Sequence, residues 1–144
     1  MIGLRRIAYI AVVLFGIFLM ASGTALGAAL MVDGDASPVN AVPGNSNNIL
    51  MVVSVTNQDG NAVSGLGATN FAVGSIVVGP GGALSDLKSA REASGASGFY
   101  ILELVPTTYK GTQYKWVKGT YLFSVTVTSG QNRGQTVVDL KMQV

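Results

Sequence analysis

From residue 49 onward the chain alternates apolar and polar positions in short runs set apart by glycine clusters. Residues 49–56 (ILMVVSVT) put Met51, Val53 and Val55 on one face and Ser54 and Thr56 on the other, the period of a strand. Residues 57–61 (NQDGN) carry the turn signal Asp59-Gly60. A short segment, 62–66, then stops at Gly67. Residues 69–78 (TNFAVGSIVV) predict another strand, bent or bulged at Gly74, ended by Gly79-Pro80-Gly81-Gly82.

Residues 83–98 leave two readings open. Leu84, Leu87 and Ala90 or Arg91 have helical spacing, so a short surface helix and an irregular edge strand both fit. Residues 99–105 (FYILELV) predict a strand with Tyr100, Leu102 and Leu104 on one face, stopped by Pro106. A long connection, 107–118, leads to 121–128 (YLFSVTVT), where Tyr121, Phe123, Val125 and Val127 oppose Ser124, Thr126 and Thr128. Residues 135–144 alternate again, with Val138, Leu140, Met142 and Val144 on one face. Alternating faces, glycine-rich turns and no helical crossovers predict an all-β fold, an antiparallel sandwich of about seven strands over residues 49–144. Tyr121, Phe123, Val125, Leu102 and Leu140 are expected to point inward.

The N-terminus follows a different pattern. Arg5 and Arg6 precede an uncharged apolar run, residues 7–20, and then a small-residue zone, 21–29 (ASGTALGAA). This is the order of a secretory signal peptide, with candidate cleavage after Ala25, Gly27 or Ala29. Residues 7–32 carry no charge, and a spanning helix needs roughly 20 apolar residues, so a retained membrane anchor is the other reading. Either way residues 1–29 direct export, and the remaining chain is expected to be secreted, periplasmic or at the cell surface. Residues 30–48, with Pro38, Pro43 and four asparagines, read as a linker with a possible first edge strand around 39–42.

Composition narrows the chemistry. The chain of 144 residues is 49% hydrophobic and 11% charged, with no cysteine and no histidine. Disulfides, thiolate metal sites, cysteine nucleophiles and Ser-His-Asp triads are therefore absent. The net charge of +2 comes from Arg5 and Arg6, since the rest balances. Without a basic run, nucleic-acid binding has no footprint. Nucleotide-binding glycine motifs are also missing, and no cofactor is expected.

Two stretches resemble a known architecture. Residues 53–71 (VSVTNQDGNAVSGLGATNF) resemble the first hairpin of secreted prokaryotic Ig-like and carboxypeptidase-regulatory-like (transthyretin-like) domains, with Asn57 where those domains often carry Asp. Residues 116–127 (WVKGTYLFSVTV) resemble a penultimate strand of the same sandwiches. The resemblance covers about residues 49–144 and implies an Ig-like β-sandwich. It also implies a structural, adhesion or ligand-binding module that is not an enzyme, and it carries over no catalytic residue. A pilin-like or membrane-anchored subunit of a surface assembly is the alternative, weakened because the apolar segment lacks an early acid.

Candidate chemistry is sparse. Asn57, Asp59 and Asn61 offer alternate oxygens, but the glycine follows Asp59 directly and no downstream acid completes a calcium set, so a plain turn is the simpler reading. Glu103 is the one acid in a strongly apolar strand, and no second carboxylate is spaced to face it across a cleft. The loop 109–118 (YKGTQYKWVK) interleaves Tyr109, Tyr114 and Trp116 with Lys110, Lys115 and Lys118. Exposed, these six residues form a contact surface for a protein or a polysaccharide. Turned inward, Trp116 and one tyrosine close the end of the core. Tyr121, after Gly119, is expected to tie down a sandwich corner.

Overall fold

The computed structural model describes residues 27–39, 41–78, 85–109 and 112–143. Residues 1–29, expected to be a signal peptide or membrane anchor, therefore lie outside the described residues apart from the last three. Among the described residues no helix is long and apolar enough to cross a membrane.

The described residues form nine strands: β1 (Met31–Ser37), β2 (Ile49–Thr56), β3 (Phe71–Val78), β4 (Ser85–Glu92), β5 (Phe99–Pro106), β6 (Thr108–Tyr109), β7 (Thr112–Gln113), β8 (Gly119–Ser129) and β9 (Asn132–Met142). They form a four-stranded sheet in the order β1-β2-β5-β4 and a three-stranded sheet in the order β3-β8-β9. All pairings within the two sheets are antiparallel. The short β6-β7 hairpin stands apart between β5 and β8.

Alternation sets which side chains fill the space between the sheets. Ile49, Met51, Val53 and Val55 of β2 and Tyr100, Leu102 and Leu104 of β5 meet Tyr121, Phe123, Val125 and Val127 of β8 and Val138, Leu140 and Met142 of β9. All are buried, including the five residues expected to point inward. Burying one such side chain contributes roughly 1.5–3 kcal/mol, so the two facing layers dominate stability.

Both seams between the sheets are closed. On one side Leu30 donates its amide to the Arg133 carbonyl at 2.9 Å, and Ala29 bridges Arg133 in parallel. This carries the chain from β9 onto β1. Glycines permit the approach: a Cβ on Gly134 would lie 2.4 Å from the Leu30 oxygen, and one on Gly34 would lie 2.9 Å from Val138 Cγ2. On the other side the Ser75 hydroxyl meets that of Ser85 at 2.8 Å and accepts the Ser85 amide at 2.9 Å.

Several expectations need correction. The first edge strand is Met31–Ser37, so it starts well before residues 39–42 and runs through Asp33-Gly34-Asp35. The ambiguous stretch is an edge strand, β4, and carries a bulge between Leu87 and Ser89. Gly74 marks no bulge, for β3 keeps one register with β8 throughout. Its missing side chain leaves room for Ser124, whose Oγ would lie 2.6 Å from a Cβ there. The turn 57–61 leads only to a bridge between Thr56 and Ala62, after which the chain crosses to the other sheet.

Candidate functional site

The basic-aromatic loop does not present its tryptophan. Trp116 is 0% exposed. Its ring meets Tyr121 edge-on at 5.5 Å, and Tyr121 stacks on Phe123 at 6.2 Å, which closes this end of the core. The Trp116 indole N–H donates to the Asn47 carbonyl at 2.6 Å. Its backbone also pairs with the loop before β2: Gly44 donates to the Trp116 carbonyl, and the Trp116 amide donates to Asn45, each at 2.8 Å. Stacking of Trp116 on a sugar or partner is therefore excluded by burial. Of the other five residues, Tyr114 is 44% exposed, Lys115 and Lys118 are exposed, Tyr109 sits in β6, and Lys110 lies outside the described residues.

Tyr121 does hold a corner. Its hydroxyl accepts the Val117 amide at 2.7 Å and donates to the Val117 carbonyl at 2.8 Å. Gly119 is thus spanned by a rigid link that fixes how the chain enters β8. Tyr100 plays a related part below β3, donating to the Val63 carbonyl at 2.6 Å and accepting the Leu66 amide at 3.3 Å. In the 57–61 turn, Asn57 Oδ1 accepts the amides of Asp59 at 3.0 Å and Asn61 at 2.9 Å. That oxygen serves the turn. Among the described residues no group of three or more acids is placed to hold a metal ion.

The loop that Trp116 holds forms one wall of a shallow pocket of about 340 Å³, lined by Ser46, Asn47, Asn48, Leu50 and Glu103. Glu103 projects from β5 on the outer face of the four-stranded sheet. One carboxylate oxygen accepts from Asn48 Nδ2 and from Lys88 Nζ at 3.4 Å, and the other accepts from the Ser89 hydroxyl at 3.0 Å. The Ser89 and Asn48 hydrogen bonds, with Lys88 nearby, hold its carboxyl below the usual carboxylate range. Glu103 was legible as the odd acid in an apolar strand. Its partners were not, because Asn48 falls in the presumed linker and the β4 bulge sets Ser89 opposite Glu103.

Around Glu103 the outer face is unusually apolar for a sheet side turned to water. Leu50 and Val52 of β2 and Phe99, Ile101 and Val105 of β5 all project outward, Val52 at 45% and Phe99 at 47% exposure. Antiparallel strands with one wet face usually alternate apolar with polar. Here five of the eight outward positions on the two central strands are apolar, the others being Ser54, Thr56 and Glu103. No family model matches the chain, and neither a curated protein nor a solved structure does.

Proposed function

We propose that the chain is an exported, non-catalytic immunoglobulin-like module with a structural, adhesion or ligand-binding role at the cell surface or in the periplasm. The observation that carries this reading is the strand order. Labelled A to G in chain order, with the β6-β7 hairpin as an insertion between E and F, the sheets read A-B-E-D and C-F-G, the order of the constant-type immunoglobulin sandwich. Tyr121 supports it, since a tyrosine early in strand F bonding back to upstream backbone is a hallmark of that fold. The resemblance of residues 53–71 and 116–127 to secreted sandwiches points the same way, although β2 and β3 lie in different sheets and do not form a hairpin.

The state of Glu103 speaks against a general-acid role for the one acid lining this pocket. A general acid needs a raised pKa, and this carboxylate is held ionised by donors on both oxygens. Its partner is a protein or a polysaccharide, met on a sheet face or at the polar rim formed by Ser46, Asn47 and Asn48.

One observation favours the second reading, an anchored subunit of a surface assembly. Ala28 donates to Asn132 Oδ1 at 2.8 Å, so the domain begins almost directly after the apolar segment. If that segment is retained, the domain sits close against the membrane without a flexible stalk. Fractionation of producing cells, with the intact mass of the chain, tests both. A folded β-domain outside the cytoplasm is expected, cleaved for the free module and uncut for the anchored subunit. Soluble cytosolic protein with Met1 intact would contradict export.

A further inference from the structure

We infer that the outer face of the β1-β2-β5-β4 sheet is a homotypic interface on which a second copy of this chain docks, related by a two-fold axis parallel to the strands. Three observations lead there. The two central strands set Leu50, Val52, Phe99, Ile101 and Val105 on this face, with Ser54 and Thr56 at one end of β2. The one charge among those apolar residues, Glu103, already has donors on both oxygens, as a carboxylate must if it is to be covered. The charges at the two edges differ: β1 presents Asp33 and Asp35, and β4 presents Lys88 and Arg91, with Asp86 at the far end of the strand opposite Val105. Lys88 pairs with Glu103, whereas Asp33, Asp35 and Arg91 have no ion pair among the described residues.

Register converts this into a specific geometry. Asp35 pairs with Val52, Val52 with Ile101, and Ile101 with Arg91, so these four residues form one row across the sheet. A two-fold axis along the strands reverses the order of the strands while keeping each row at its own height. Asp35 then faces Arg91 of the second copy, Val52 faces Ile101 of the second copy, and each contact occurs twice. The result is an apolar centre with an ion pair at either side, self-complementary as an isologous interface must be. An axis across the strands would set β1 over β1 and the aspartates over themselves, which opposes that arrangement. The docking needs only the sheet and holds whatever compartment the chain occupies, so it goes beyond the proposed module and can fail separately from it.

Charge reversal tests the pairing in the full chain, purified as the cell processes it and measured by sedimentation equilibrium. Wild type is expected to be a dimer. Asp35→Arg alone and Arg91→Asp alone are each expected to weaken it by about tenfold or more, because each places like charges opposite one another twice. The double variant, D35R with R91D, is expected to restore it. The absence of native cysteine allows a second measurement that does not depend on affinity. Asp35→Cys with Arg91→Cys in one chain is expected to give a covalent dimer with a thiol-specific bifunctional reagent of about 8 Å span, because facing sheets lie about 10 Å apart. Within one sheet the two positions are three strands apart, about 14 Å, too far for that reagent to link. A wild-type monomer at about 100 µM, equal dimerisation by all the reversal variants, or reaction of both cysteines with the reagent without covalent dimer would overturn the proposal. Monomer in which Val52→Cys cross-links to a cysteine placed within residues 7–20 would overturn it in favour of the chain's own apolar segment covering the face.

Discussion

The indole N–H of Trp116 donates to the backbone carbonyl of Asn47 across 69 residues of sequence, at 2.6 Å. This bond and the two backbone bonds beside it fasten the asparagine-rich loop to the end of the core. Trp116→Ala is expected to cost roughly 3–5 kcal/mol, the range for removing a large buried aromatic. Trp116→Phe keeps most of the ring packing and loses the indole donor, for about 1–3 kcal/mol. Chemical denaturation measures both. The single tryptophan of the wild type is expected to emit as a buried indole, and an emission maximum typical of water-exposed indole would contradict the packing.

The Tyr121 corner gives a cleaner chemical test. Tyr121→Phe leaves the ring between Trp116 and Phe123 and removes both hydrogen bonds to Val117. A loss of about 1–3 kcal/mol is expected. Hydrogen exchange at the Val117 amide should accelerate far more than exchange in the middle of β8. Uniform acceleration across β8 would mean that the hydroxyl does not act locally.

How much of this was legible follows from what each residue's neighbours demand. The facing layers of β2, β5, β8 and β9 could be read because strict alternation leaves one choice of inward face for Val53, Leu102, Phe123 and Leu140. Strand β1 could not, because its charges point outward and its inward positions are Val32, Gly34 and Ala36. Gly34 is small because Val138, more than a hundred residues away, lies against it, and no local pattern reports that. The loop 109–118 failed for a related reason. A basic-aromatic rhythm says what the side chains are, and the direction of Trp116 depends on an open core end built by distant strands. Asn48 and Ser89 reach Glu103 from a loop and from a bulge, two places where strand periodicity carries no information.

Two carboxylates make stability depend on pH. Glu92 accepts the Gly98 amide at 2.8 Å and the Gly65 amide at 3.0 Å, and these bonds lower its pKa from the ordinary 4.5. Glu103 is lowered from 4.5 by the Ser89 and Asn48 hydrogen bonds. In each case the folded pKa lies below the unfolded one, so the contribution is complete above about pH 4.5 and is lost as pH falls through the folded value. Melting temperature should therefore hold steady near neutral pH and decline below about pH 4.5. Glu92→Gln and Glu103→Gln should each flatten that decline, and an unchanged acid limb in the double variant would show that other groups govern it.

If the N-terminal segment is cleaved as proposed, the seam between β1 and β9 bears on where the remaining chain can begin. Ala28 donates to Asn132 Oδ1, Ala29 bridges Arg133, and the Leu30 amide donates to the Arg133 carbonyl with the Leu30 side chain buried. Cleavage after Ala25 leaves all of these contacts in place. Cleavage after Gly27 makes the Ala28 nitrogen a charged terminus at an exposed hydrogen bond, which water tolerates. Cleavage after Ala29 removes two contacts and puts the new ammonium group on buried Leu30, where desolvation opposes it. A series of chains beginning at Leu26, Ala28 and Leu30 is expected to melt in that order, the first highest. The largest step should separate Ala28 from Leu30, by about 1–3 kcal/mol for the lost contacts and the misplaced charge. Raising the pH above about 8, where an α-amino group loses its proton, should recover part of the deficit in the shortest chain. Equal melting of all three would mean that residues 27–30 are not part of the fold.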